Sequence, residues 1–215
     1  MSTQILILIG SPKKKDSTSE SIATKLKLIL GEQGACVHVM SLFLSLNDSE
    51  NIDKFFKKIN SVDIITFISP VYVDSPPFMV LKFLEIISEK SKTLNNEKCK
   101  KIFAISLCGY PEAVHNELSL MIYKNFADCC GFLWGGGMSI SMAPFIRQDH
   151  IRYIGVKNQN LLHSYEMLCR KMLSVEDEID DECIEVAPIL PKWLYLSIAH
   201  IAWYCSYVRN VLKRG

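Results

Sequence analysis

Residues 5–9, Ile-Leu-Ile-Leu-Ile, form an unbroken apolar run, the pattern of a central strand buried on both faces. Over 19–30 the period becomes helical. Ile22, Leu26 and Ile29 recur three and four residues apart, Lys25 and Lys27 turn outward, and Gly31 and Gly34 close the segment. The alternation then repeats. A short strand is predicted over 36–40, an amphipathic helix over 52–59 and a β-branched strand over 62–69. A helix over 78–88 is entered through Pro76-Pro77, which suits its first turn. A strand over 101–106, a helix over 115–130 and a glycine-interrupted strand over 132–141 follow. Strands alternating with helices imply an α/β chain with a parallel sheet covered on both faces. Beyond about residue 145 the rhythm changes to a helix over 156–173, an acidic stretch over 176–185, the segment Pro188-Ile-Leu-Pro191, and a very apolar helix over 193–212.

At 215 residues the default is a single domain, 1–215, with a core over about 3–143 and a C-terminal helical extension over about 150–215. A net charge of +1 points to neither nucleic acid nor an acidic partner. Met1-Ser-Thr-Gln runs straight into the first strand without a basic leader, so the expected location is cytoplasmic. The eight cysteines include no Cys-x-x-Cys pair and no zinc or iron–sulfur spacing, so no metal site is expected. In a reducing compartment they read as small buried hydrophobes, with Cys108 singled out by its neighbours.

In a doubly wound sheet, ligands sit beyond the carboxyl ends of the strands. The first such loop is Gly10-Ser-Pro-Lys-Lys-Lys-Asp-Ser-Thr-Ser19. Ser11, Ser17, Thr18 and Ser19 offer hydroxyls, Lys13, Lys14 and Lys15 add positive potential, and the following helix offers free N–H groups. Neither the triphosphate P-loop nor the Gly-x-Gly-x-x-Gly dinucleotide turn is present, so a terminal monophosphate fits better. Taken alone, the loop fits an ordinary capped helix start equally well. The second loop, Ser69-Pro-Val-Tyr-Val-Asp-Ser-Pro-Pro77, is stiffened by prolines and carries one aromatic ring for stacking. The third, Ser106-Leu-Cys-Gly-Tyr-Pro-Glu112, contains a glycine where backbone can approach a ligand closely.

Together these motifs resemble the flavodoxin-like NAD(P)H-dependent FMN reductase and oxidoreductase family. The matching stretches are Ile9-Gly-Ser-Pro-Lys13 with Ser17-Thr18, Ser69-Pro-Val-Tyr72 with Pro77 and Leu81-Lys82-Phe83, and Cys108-Gly-Tyr-Pro-Glu112. His115-Asn-Glu and Gly131-Phe-Leu-Trp-Gly-Gly136 also match, and the resemblance spans about 3–143. It implies a flavodoxin-like, doubly wound, five-stranded sheet of order 2-1-3-4-5 with extra C-terminal helices. It implies bound FMN, NADPH or NADH as co-substrate, and a small-molecule electron acceptor such as a quinone, nitro compound or flavin. By the same resemblance, Ser11, Lys13, Ser17, Thr18 and Ser19 hold the phosphate. Pro70, Val71, Tyr72 and Val73 line the ring and ribityl chain, and Cys108, Gly109 and Tyr110 border the other edge. Lys13 stands where the family usually carries arginine, keeping the charge without the bidentate fork. No catalytic acid or base is assigned, because the cofactor carries the chemistry. A homodimer is expected by analogy.

Two other readings use the same fold: a flavodoxin-type electron carrier without nicotinamide reactivity, and a non-redox binding protein. The net charge of +1 argues against the first, since flavodoxins are usually strongly acidic. The hydroxyl-rich loop argues against the second. In the last helix Leu194, Ile198, Ile201, Cys205, Val208 and Leu212 share one face, and Ser197, His200, Tyr204 and Tyr207 another. The expectation is packing over the domain or across a dimer interface rather than contact with a membrane.

Overall fold

The computed structural model describes residues 2–13, 15–44, 49–90, 100–146, 159–174, 182–188 and 190–212. Alternation along the first strand, β1 (Gln4–Ile9), sends Ile5, Ile7 and Ile9 to one face and Leu6 and Leu8 to the other. β1 lies between β2 (Cys36–Ser41) and β3 (Ile64–Pro70), and β4 (Lys101–Leu107) and β5 (Leu133–Ile140) extend the sheet beyond β3. A sixth strand, β6 (Ile184–Val186), pairs in parallel with β5. The sheet is therefore six-stranded, of order β2-β1-β3-β4-β5-β6, and every pairing is parallel. The expected five-strand order is present, but the count of five is corrected. The end of the acidic stretch becomes a strand because Ile184 and Val186 bury themselves while Glu185 between them faces water.

Two layers of helix cover the sheet. On one face lie α1 (Thr18–Glu32) and α5 (Gln159–Leu173), whose Ile22, Leu26, Leu161 and Leu168 join Ile7, Phe103 and Met138 in one core cluster. On the other lie α2 (Ser49–Asn60), α3 (Phe78–Lys90) and α4 (Glu117–Cys130), with Phe55, Phe83 and Tyr123 around Phe67. Phe67 and Tyr123 stack with centroids 5.1 Å apart, and the Tyr123 hydroxyl shares a 2.7 Å hydrogen bond with Ser69. α5 thus completes the first core, and the extension is part of the packing rather than an appendage. The predicted start of α5 at residues 156–158, and most of the acidic stretch, lie outside the described residues.

Some glycines are explained by close packing. A Cβ on Gly135 would stand 2.4 Å from the Phe103 ring, and one on Gly10 would stand 2.4 Å from a Val80 methyl. Gly10 is therefore required by the approach of α3, not by a special backbone conformation. At the end of α1 only Gly34 takes a left-handed conformation (φ +84°), whereas Gly31 lies inside the helix, a correction to the expected pair of stops.

The last helix, α6 (Lys192–Leu212), is seated only at its start. Tyr195 is buried against Met142 and Leu190, with Phe145, Leu194 and Ile198 around them. Every described residue from His200 to Arg209 is exposed, including Ile201, Cys205 and Val208 of the stripe expected to pack inward. Packing over the domain therefore stops after the first two turns.

Candidate functional site

The first three βα loops named by the sequence meet at the carboxyl edge of β1, β3 and β4, where the chain reverses direction across the sheet. A cavity of about 390 Å³ opens there, within the range of small-molecule sites. Of the predicted residues, Ser11, Lys13, Ser17, Thr18, Ser19, Pro70, Val71, Tyr72 and Gly109 line it. Val73, Cys108 and Tyr110 do not. Asp16, Leu107, Ala143 and Pro144 line it as well and were not singled out by the sequence.

The first loop is held from within. The Ser11 hydroxyl accepts the Lys13 N–H at 3.2 Å, and Ser17 caps α1 by accepting the Glu20 N–H at 3.1 Å. That cap leaves the Ser17 O–H proton for a ligand. The Thr18 and Ser19 N–H groups meet no acceptor among the described residues, as expected for the first turn of a helix. The Lys13 ammonium donates to the Asp16 carbonyl at 3.2 Å and stays exposed, so it places a positive charge beside the loop. Donors without an acceptor, hydroxyls and a helix N-terminus around one cavity are the chemistry of a bound dianion. Lys14 lies outside the described residues.

In the second loop the Val71 N–H is taken by the Leu107 carbonyl at 2.8 Å and the Tyr72 N–H by Ser75 at 2.9 Å. These groups are therefore not available to a ring, and Val71 and Tyr72 offer the cavity only their other atoms. The Tyr72–Ser75 pairing closes a tight turn with Val73 at φ +52° and Asp74 at φ +59°. Both central residues are left-handed, as a type I′ turn demands, yet neither is Gly or Asn. Val73 is β-branched and 97% exposed, so no packing offsets its strain. Val73→Asn is expected to stabilise the chain by about 1 kcal/mol, raising Tm by roughly 2–4 °C in calorimetry. An unchanged or lower Tm contradicts that account.

The third loop is tied to the end of β5. Cys108 N–H donates to the Ile140 carbonyl, and the Ala143 and Met142 N–H groups donate to Cys108 and Tyr110. This brings Ala143 and Pro144 into the cavity wall. The Cys108 side chain is buried and turns to the Tyr110 and Glu112 carbonyls at 3.6 and 3.5 Å. Burial pushes its thiol above the ordinary range. It holds the loop's shape, and a protonated, enclosed thiol is a poor nucleophile. A Cβ on Gly109 would meet nothing within 4 Å, so this glycine leaves open space beside the cavity. Tyr110 is exposed and its ring lies against that of His115, tilted by 35° with centroids 4.4 Å apart, while His115 Nδ1 lies 3.5 Å from Asp74. The second and third loops are thus linked at the rim. Tyr195 of α6 donates its hydroxyl to the Gly109 carbonyl, and Lys192 pairs with Glu112. That pairing holds the Glu112 carboxyl below its usual range.

None of the described cysteines is in a disulfide. Three are buried, three exposed and Cys36 lies between, and burial pushes the Cys169 thiol up to about 12. Iodoacetamide on the native chain is expected to modify exposed Cys129, Cys183 and Cys205 and to spare Cys108, Cys130 and Cys169. Peptide mass spectrometry reads this directly, and early labelling of Cys108 contradicts its structural role.

The fold and site together define a doubly wound α/β protein with a hydroxyl-lined cavity at its switch point. No family model matches the sequence, and no curated protein matches it. Solved structures do. The apo form of an NADH:FMN oxidoreductase superposes with TM-score 0.58 and 15% identity, covering 84% of this chain and 95% of that one. An NADPH-quinone reductase from P. pentosaceus gives TM-score 0.55 and 10% identity over 81% and 99% of the two chains. The Trp repressor binding protein from Bacillus subtilis gives 0.53 and 13% over 80% and 99%. At these identities the likeness establishes the fold, which is flavodoxin-like.

Proposed function

We propose that the chain is an FMN-dependent oxidoreductase that takes reducing equivalents from NADPH or NADH and passes them to a small-molecule acceptor such as a quinone, nitro compound or flavin. The observation that carries this reading is the meeting of the hydroxyl-rich loop, the Pro-Val-Tyr loop and the Cys-Gly-Tyr-Pro loop around one cavity. The motif resemblance and the reductases among the fold's neighbours support it.

The residues present fit FMN. Ser11, Ser17, Thr18 and Ser19, with the first-turn N–H groups of α1 and Lys13, would hold the phosphate. Pro70, Val71 and Tyr72 would line one side, and Gly109, with open space beside it, would border the other. When bound, the flavin would supply hydride acceptance and one- or two-electron donation. The chain's own part is to anchor, to keep the loops rigid and to leave the Tyr72–Tyr110 rim open to reactants. Val73, Phe78, Tyr110, Val114 and Leu118 are exposed apolar side chains on loops and helix starts at this edge. They suit a homodimer formed around the cavity mouth, in the cytoplasm.

The test is an absorbance spectrum of the purified chain with added FMN, followed by anaerobic NADPH or NADH. The proposal expects a bound flavin spectrum that one nicotinamide bleaches. Failure to take up FMN overturns it. Uptake without bleaching by either nicotinamide identifies an electron carrier instead.

A further inference from the structure

The outer part of α6 has apolar surface that none of the described residues covers. At 3.6 residues per turn, Trp193, Leu196, Trp203, Tyr204 and Tyr207 fall within one arc of roughly 100°, with His200 among them. That arc lies opposite Leu194, Tyr195 and Ile198, which seat the helix. All five are exposed, by 40% at Leu196 and up to 71% at Trp203. Trp203 and Tyr207 stack with centroids 6.2 Å apart, forming one aromatic ledge. The face is rich in Trp and Tyr, whose rings favour a boundary between oil and water.

Charge points to the same surroundings. After Val186 the sequence contains Lys192, Arg209, Lys213 and Arg214 and no acidic residue. With a net charge of +1 for the whole chain, the remaining body is net negative. Lys192 is paired with Glu112, so the basic excess of this segment sits in Arg209, Lys213 and Arg214. None of the described helices is long and apolar enough to cross a membrane. An exposed aromatic face with a basic end, too short of apolar character to span, has the character of a helix lying in a bilayer interface.

We infer that α6 docks on an anionic lipid bilayer through the Trp193–Tyr207 face. The sequence favours packing over the domain or across a dimer interface; the exposure of residues 200–209 removes the first and leaves the second as an outcome of the test. Because Tyr195 and Lys192 fasten the root of α6 to the third loop, docking holds that loop near the lipid surface. The inference stands on α6 alone and does not depend on what the cavity binds.

Vesicle flotation with the full chain tests it. The chain is expected to float with vesicles of mixed phosphatidylcholine and phosphatidylglycerol, and about tenfold less with phosphatidylcholine alone. The double substitution Trp203→Ser, Tyr207→Ser is expected to lower partition by about tenfold or more with Tm unchanged, since both side chains are already exposed. Mixed vesicles should also slow alkylation of Cys205 and leave Cys129 unaffected. Absence of flotation with mixed vesicles, or flotation indifferent to the double substitution, overturns the inference. If flotation is absent and the same substitution halves the particle mass in light scattering, the face is covered by a second copy of the chain.

Discussion

Thr18→Glu is expected to abolish FMN binding while leaving the fold as stable as before. Thr18 lines the cavity at the first position of α1, beside the N–H groups that would meet the phosphate. A carboxylate there stands close to a dianion. At about 4 Å and an effective dielectric near 20, each unit of like charge costs about 4 kcal/mol. The dissociation constant should therefore rise about a thousandfold or more. The same carboxylate favours the helix, because a negative charge in the first turn interacts well with the helix dipole, by about 0.3–1 kcal/mol. Fluorescence titration with FMN and a thermal melt separate the two effects. Thr18→Ser is expected to bind normally. If Thr18→Glu binds FMN within about tenfold of the parent, the phosphate does not lie in this loop.

The second large effect is on stability. Gly10→Ala forces a methyl group to within 2.4 Å of Val80 and 2.9 Å of Ser69. The Gly10 N–H is fixed to the Ile68 carbonyl at 2.8 Å, and Val80 is fully buried, so neither side yields easily. Overpacking of this kind costs about 2–3 kcal/mol, or roughly 5–10 °C in Tm for a chain of this size. Val80→Ala removes the closer obstacle. The double variant Gly10→Ala, Val80→Ala should then be more stable than the sum of the single effects, by about 1 kcal/mol. Strict additivity of the two substitutions would show that Val80 is not what meets the new methyl. Because Ser11 follows directly, Gly10→Ala is also expected to weaken FMN uptake.

Much of the fold was legible because its signals are long. The five-residue apolar run of β1 and the four-and-three spacing of Ile22, Leu26 and Ile29 each have one reading. β6 was not legible. Ile184-Glu-Val186 shows a single alternation, inside a stretch whose acidic composition reads as solvent-facing. Its pairing depends on β5 being already in place, which no local pattern reports. The fate of α6 was hidden for a related reason: amphipathicity reveals a face but not what covers it.

At the site, hydroxyls and prolines marked the first two loops well. Ala143 and Pro144 carry no chemistry-bearing side chain, so only topology, the loop after β5 beside the loop after β4, would have pointed to them. Cys108 stands out by its neighbours in the third loop, and its buried thiol turns to the Tyr110 and Glu112 carbonyls. Val73 was placed on the ring because it follows Tyr72, but the left-handed turn throws it out to solvent.

The place of β6 and α5 in the architecture bears on how the chain is made. Synthesis delivers β1 to β5 first, with α1 already formed, yet one face of that sheet needs α5 for cover and one edge needs Ile184–Val186. Until those segments leave the ribosome, β5 offers an open row of backbone donors and acceptors next to uncovered apolar side chains. The growing chain is thus most exposed to mispairing late in translation, and a ribosome stalled between residues 146 and 184 holds a species that chaperones would be expected to recognise.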